Sequence, residues 1–233
     1  MARQGFGSLV TDEQWRRMAG SGSLRRYVRG EPIMRQGEPG TTVHLVMSGV
    51  ARVSMLRPEG TEVPLAFRGV GELLGEPSLW SGQARGATVV ATAPCETRVF
   101  LSDRFRRSVQ KAGLESAVWQ SILTRQRESD ELRAEQSMLS AGRRLATALL
   151  RLADTLGEPI EPGIGDAGSS RGRGTLLDIA LPQQEIADYI GLSRTSVALE
   201  YARLKELGVI RTGRNHVAIH DHALLTSLAR GDA

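Results

Sequence analysis

Between about residues 24 and 100 the chain meets a glycine every few positions: Gly30, Gly37, Gly40, Gly49, Gly60, Gly69, Gly71 and Gly75. The runs between them, such as "TVHLVMSGVARVSML", "EVPLAF" and "GATVVATAPCETRVFL", are short and rich in Val, Leu and Thr. Glycine at that frequency weakens helices, whereas short strands with regular turn signals build a sandwich or barrel. "RPEG" at 57–60 predicts a hairpin turn, with Pro58 presetting the backbone and Gly60 closing it. After Asp103, a residue suited to an N-cap, the pattern turns helical, and residues 116–156 contain no proline. A chain of 233 residues has room for two modest cores, so an all-β first part with a helical continuation predicts an α+β protein of two domains joined by a long helix.

On that helix Ile122, Arg125, Ser129, Leu132, Gln136 and Leu139 recur at steps of three and four. This is coiled-coil spacing, but half of the positions are polar, so the helix either lies on its own domain or forms the seam of a homodimer. "GEPIEPGIGDAGSSRGRG" at 157–174 reads as a loop whose arginines are solvated. Helical text then resumes in "QQEIADYIGLSRTSVALEYARLKELG". Gly191 ends a first helix in a left-handed turn, Ser193 caps a second, and Ile186, Ala187, Ile190, Leu192, Val197, Tyr201 and Leu204 form the inward set. With a hairpin around Gly213, this spells a winged helix-turn-helix, and the N-terminal residues of its second helix reach base edges in a major groove. Ser193, Arg194, Thr195, Ser196 and Leu199 are the candidates for that contact, and Gln184, Arg211, Arg214 and His216 for phosphates. A winged helix serving only protein contacts is the competing reading.

Charge agrees with a nucleic-acid partner only locally. The net charge is +4, and residues 1–139 carry 19 basic and 15 acidic side chains against 11 of each in 140–233. Residues 190–216, however, hold five Arg or Lys and two Glu. The single Cys95 excludes a disulfide framework and a cysteine-ligated cluster. His216, His220 and His222 alternate as in a strand, a weak metal signature, so no metal is expected. There is neither a nucleophile paired with a base nor a Gly-Lys phosphate loop, so no catalytic residues are expected and the chain is not read as an enzyme. With no spanning run and no signal core in the sequence, the expected location is the cytoplasm, away from membranes.

"GEPSLWSGQARGATVVA", residues 75–91, sets Gly75 and Glu76 at the start of a short helix and returns Arg85 from the other side. A carboxylate that accepts from sugar hydroxyls and an arginine that meets phosphate describe a sugar-phosphate pocket. An ion pair closing a surface loop explains the same residues.

Residues 20–220 resemble the CRP/FNR family of bacterial transcription regulators. "GEPIMRQGEPGTTVHLVMSGVARV" is similar to its opening strands, "GELLGEPSLWSGQARGATVVA" to its phosphate-binding cassette, and "LPQQEIADYIGLSRTSVALEYARLKELGVI" to its DNA-binding helices. The resemblance implies a cyclic-nucleotide-binding β-roll (jelly roll) at 1–115, a dimerisation helix at 116–140 and a winged helix-turn-helix at 141–233. It implies Glu76 on a ribose hydroxyl, Arg85 on a cyclic phosphate, Gly75, Gly86 and Ala87 around it, and Ser129 and Asp130 near the base. The effector would be cyclic AMP or cyclic GMP, with no obligatory cofactor; the partners would be an operator duplex, a second copy and RNA polymerase. Gly86 stands where serine or threonine is common in cyclic-AMP binders, Pro77 lacks an N–H, Asp130 departs from the threonine-serine pair, and Thr195 and Leu199 replace charged residues. A regulator independent of ligand, or tuned to a non-nucleotide effector, is the alternative, followed by a nucleotide-binding signalling subunit or enzyme.

Overall fold

A computed structural model describes residues 2–160, 174–177, 182–213 and 216–232. The chain divides into two compact units, Met1–Asp130 and Glu131–Ala233.

The first unit begins with a 3-10 turn (Gly5–Ser8) and helix α1 (Asp12–Ser21). A capping box starts α1: Thr11 Oγ1 accepts from the Gln14 amide, and Gln14 Oε1 from the Thr11 amide. Strands β1 (Ser23–Tyr27), β2 (Pro32–Met34), β3 (Thr42–Ser48), β4 (Ala51–Leu56), β5 (Glu62–Arg68), β6 (Leu73–Leu74), β7 (Thr88–Ala91) and β8 (Cys95–Leu101) follow, with helix α2 (Glu76–Ser81) between β6 and β7. They form two antiparallel four-stranded sheets, ordered β1-β8-β3-β6 and β2-β7-β4-β5. The 57–60 turn forms as expected, with the Gly60 amide donating to the Arg57 carbonyl at 2.9 Å.

Strand alternation divides the apolar residues between two cores. Val46, Leu74 and Cys95 of the first sheet meet Met34, Ala51, Val89 and Ala91 of the second in the interior of the roll. Val43, Leu45, Leu73 and Phe100 join Met18 of α1, Phe105 and Val109 of α3 (Ser102–Ala112), and Val118 of α4 (Glu115–Met138) in the other cluster. β3 is therefore covered on both faces, which leaves the polar His44 buried at 3% exposure. Helix α3 starts at Ser102, one residue before the expected cap. Asp103 lies in its first turn, where a carboxylate suits the positive end of the helix.

The second unit takes up the end of α4 and continues with α5 (Ala141–Leu156), β9 (Glu158–Pro159), β10 (Thr175–Leu177), α6 (Gln183–Ile190), α7 (Arg194–Glu206), β11 (Ile210–Thr212), β12 (Val217–Ile219) and α8 (His222–Arg230). The proline-free stretch from 116 to 156 is not one helix. Ser140 adopts an extended backbone (φ −65°, ψ 162°) and starts α5, a conformation serine favours at helix starts. The wing hairpin pairs Ile210 with Ile219, and β10 and β9 extend it into the sheet β11-β12-β10-β9. β9 lies within the 157–174 region read as a loop and corrects that reading there, and β10 follows directly after it; both are too brief for a periodic signal. Residues 161–173, Arg214 and Asn215 lie outside the described residues, and with them most of that loop and one expected phosphate contact.

Candidate functional site

Gly75 precedes α2 in a left-handed conformation (φ 87°), and a Cβ there would collide with the Arg85 guanidinium. Glycine is required twice over at this position, by dihedral and by space. Arg85 is 4% exposed, and its hydrogen bonds go to neutral oxygens: Nη1 to the Gly75 carbonyl at 2.7 Å, Nη2 to the Thr42 carbonyl at 2.5 Å and to Thr42 Oγ1 at 3.2 Å. Burial lowers its pKa, and the nearby Glu76 and Glu38 charges oppose that shift.

Beside this arginine lies a cavity of about 300 Å³. Its polar side chains are Arg68, Ser78, Arg85, Arg125 and Ser129, with Gly75 and Gly86 beside them; residues such as Ala87, Met34, Val53, Leu65, Leu74 and Val89 contribute apolar surface. An apolar cavity with a few convergent polar groups is the usual form of a small-molecule site. Of the residues expected at the ligand, Gly75, Arg85, Gly86, Ala87 and Ser129 are brought together here. Asp130 is not among the lining residues; it is exposed and accepts from Gln126 Nε2 at 3.1 Å, one turn away on α4.

Glu76 is fully buried and outside the lining, paired with Arg125, which does line the cavity. Its Oε1 accepts from Arg125 Nη1, while Oε2 is buried with no hydrogen-bond partner. Burial raises the carboxyl pKa, against the pull of Arg125. Arg125 Nη2 also donates to Glu72 Oε2 and to the Leu73 carbonyl, each at 2.6 Å, and Arg68 Nη1 contacts Glu128 at 2.7 Å and Glu72 at 3.7 Å. A chain of ion pairs, Glu76–Arg125–Glu72–Arg68–Glu128, thus runs from the start of α2 to α4.

Of the two readings of this helix face, Arg125, Ile122 and Ser129 follow the one in which it lies on its own domain: Arg125 is spent on its own unit, Ile122 packs on the helix-covered core and Ser129 lines the cavity. Gln136 donates to the Tyr189 carbonyl at 3.3 Å within the second unit. The large apolar side chains left open on α4 are Trp119, Leu123 and Met138. Spacing reports a face but not its partner, and the carboxylates that claim Arg125 are some fifty residues away in sequence. Arg68, Glu72, Arg125 and Thr42 were not expected at the site; the one local hint was the helix-independent pairing of Arg68 with Glu72 across the turn that leads into β6.

In the second unit α6 and α7 meet as expected. Gly191 ends α6 with φ 68°, and Ser193 Oγ accepts from the Ser196 amide at 3.0 Å. Ile186, Ala187, Ile190, Val197, Tyr201 and Leu204 are buried, and Leu192 is half-buried. Ser193, Arg194, Thr195 and Leu199 are exposed, Leu199 at 67%, and Ser196 is half-buried with its hydroxyl 2.8 Å from that of Ser193. Gln184, Arg211 and His216 are exposed too; Gln184 donates to Asp188 at 2.8 Å.

Comparison with known proteins agrees with both units. Residues 24–112 match the model of the cyclic nucleotide-binding domain, and residues 143–228 that of the Crp-like helix-turn-helix domain. The chain is 32% identical to the cyclic AMP receptor protein of Thermus thermophilus, over 89% of this chain and 88% of that protein. It is 27% identical to a CRP-like cAMP-activated global transcriptional regulator of Mycobacterium tuberculosis, over 88% and 87%. The structure of FixK2 from Bradyrhizobium japonicum superposes with a TM-score of 0.72 at 19% identity, over 89% of this chain and 96% of that one, a likeness of fold. A β-roll matching the cyclic nucleotide-binding domain, a long helix and a winged helix-turn-helix, in that order and at this similarity, place the chain in the CRP/FNR family of DNA-binding transcription regulators.

Proposed function

We propose that this regulator works as a homodimer whose first unit binds a cyclic nucleotide and whose second unit reads an operator duplex. The observations that carry the ligand half are an arginine lining the cavity with no carboxylate hydrogen-bonded to it, and one oxygen of the neighbouring Glu76 carboxylate left without a hydrogen bond. Arg85 is buried on neutral oxygens, and Glu76 Oε2 is buried without a partner. A buried polar atom without a partner is costly, and a ligand with an anionic phosphate and a neighbouring hydroxyl meets both needs. Arg85 then holds the phosphate, Glu76 accepts from the ribose, and Gly75, Gly86 and Ala87 shape the wall. Names of the two curated relatives, a cyclic AMP receptor protein and a cAMP-activated regulator, agree with that ligand class.

For DNA, Arg194 is the residue suited to a bidentate guanine contact, and the exposed Leu199 suits a thymine methyl. Ser193, Thr195 and Ser196 complete that face, with Gln184, Arg211 and His216 toward phosphates. The dimer forms along α4 through Trp119 and Leu123, which are 47% and 57% exposed. Among the described residues no helix is long and apolar enough to cross a membrane, and the proposed setting is the cytoplasm with RNA polymerase as the downstream partner.

Calorimetric titration of the full chain with cyclic AMP and cyclic GMP tests the ligand half, with Arg85→Ala as control. Saturable binding, weakened about 10- to 100-fold by the substitution, is expected from the loss of hydrogen bonds to a charged group. Absence of binding to both nucleotides, or an unchanged affinity in Arg85→Ala, would contradict it.

A further inference from the structure

We infer that Arg68 makes the cavity selective for a guanine base over an adenine base; this rests on the cyclic-nucleotide reading above. Arg68 ends β5 and lines the cavity with Ser129, and its side chain is held toward α4 by Glu128 at 2.7 Å. Arg85 is anchored elsewhere, on Thr42 and Gly75 beside α2. A nucleotide with its phosphate on Arg85 leaves Arg68 and Ser129, which line the same cavity, as polar groups for its base.

The donor inventory at that end decides the preference. A guanidinium is all donors, with no acceptor and no neutral form at ordinary pH. Guanine offers two acceptors on one edge, O6 and N7, whereas adenine offers N7 beside a 6-amino donor. Arginine facing an amino group leaves two donors opposed, and arginine facing O6 and N7 makes a fork. Ser129 donates or accepts as required, so it does not reverse the choice. Glu128, which would welcome an amino group, is not among the lining residues. The contacts of Arg68 with Glu128 and Glu72 both run through Nη1, so the guanidinium is oriented by one corner. The remaining lining near it, Leu65, Ala66 and Val53, is apolar and presents no competing side-chain acceptor.

The test is a titration of the full chain with cyclic GMP, cyclic IMP and cyclic AMP, repeated on Arg68→Leu and Glu128→Gln. Cyclic IMP keeps O6 and N7 but lacks the 2-amino group. Cyclic GMP and cyclic IMP are expected to bind about 10-fold or more tighter than cyclic AMP, in line with the worth of a bidentate base contact. Arg68→Leu should bring the three within about threefold of one another by weakening the first two. Glu128→Gln keeps the arginine and should keep the order, which separates base reading from loss of the ion pair. Equal binding of all three by the native chain, or an adenine preference, overturns the inference while leaving the cyclic-nucleotide reading intact. Selectivity that survives Arg68→Leu in a folded variant, or that cyclic IMP does not share, overturns it as well. Binding of none of the three overturns both.

Discussion

His44 is a buried titratable residue linked to the Arg85 site through Thr42. Its Nδ1 lies 3.3 Å from both Tyr27 Oη and Thr97 Oγ1, and its Nε2 3.1 Å from Thr42 Oγ1, the hydroxyl that also accepts from Arg85. Burial first, then the charges of Arg85 and Arg25, push its pKa down to about 4. The folded state thus resists a proton that the unfolded chain accepts at about 6.5. No penalty exists above that value; stability falls as pH drops from about 6.5 to about 4 and levels off below, a loss of about 3 kcal/mol at most. Urea unfolding of His44→Gln across this window should show a shallower acid loss than the native chain; identical slopes would remove His44 from the account. Arg125 makes a second prediction at this scale. Arg125→Met leaves Glu76 buried without its ion-pair partner and Glu72 with Arg68 alone at 3.7 Å, so unfolding of the first unit should become easier by about 3–5 kcal/mol, and a change under 1 kcal/mol would mean that water replaces the guanidinium. None of this was legible in the sequence beyond Glu76 and Arg85 themselves. Partners such as Thr42 and Arg125 are brought to the site by sheet register and helix packing, 43 and 49 residues away in sequence.

At the scale of elements, sequence and structure agree best where a backbone rule forces the outcome. Gly191 must take a left-handed φ for α6 to end, and Ser193 must stand free of α7 to cap it, so the helix-turn-helix could be read directly. Removing the cap in Ser193→Ala should cost about 1 kcal/mol in the second unit and leave nucleotide affinity unchanged, as thermal melts and titration would record. A drop in nucleotide affinity would mean that the substitution reaches beyond its helix. On α7, Arg194→Ala should relax base preference at one operator position by about 1–3 kcal/mol, whereas Arg211→Ala should weaken all duplexes alike and lower the salt dependence. Binding-site selection and salt titration distinguish the two. Strands β9 and β10 went unread because two or three residues carry no period, whereas the resemblance to the family ended the long helix at 140, where the composition by itself reads on as helix to 156.

Over the whole molecule, the proposed function requires that a ligand in the first unit change how the second binds DNA. Helix α4 is the natural carrier. Its residues through Asp130 group with the first unit and those from Glu131 with the second, and Arg125 ties its first half to Glu72 and Glu76 at the cavity. On the proposed binding mode, a nucleotide hydroxyl arriving at Glu76 would compete with or complete that tie. In the proposed homodimer, ligand that favours one setting of the helix would shift the population whose recognition helices match two half-sites, by as much as its affinity differs between the settings. The order of domains was legible from composition alone, glycine-cut strands before helical text. The coupling was not, since it depends on which face of α4 meets the pocket. The most direct measurement is the affinity of the full chain for a duplex selected from random sequence, with and without saturating cyclic nucleotide. The account predicts at least about 10-fold tighter binding with the nucleotide, within the usual range of coupling between sites, and loss of that gain in Arg85→Ala. Equal affinity with and without a nucleotide that titration shows to be bound would contradict it.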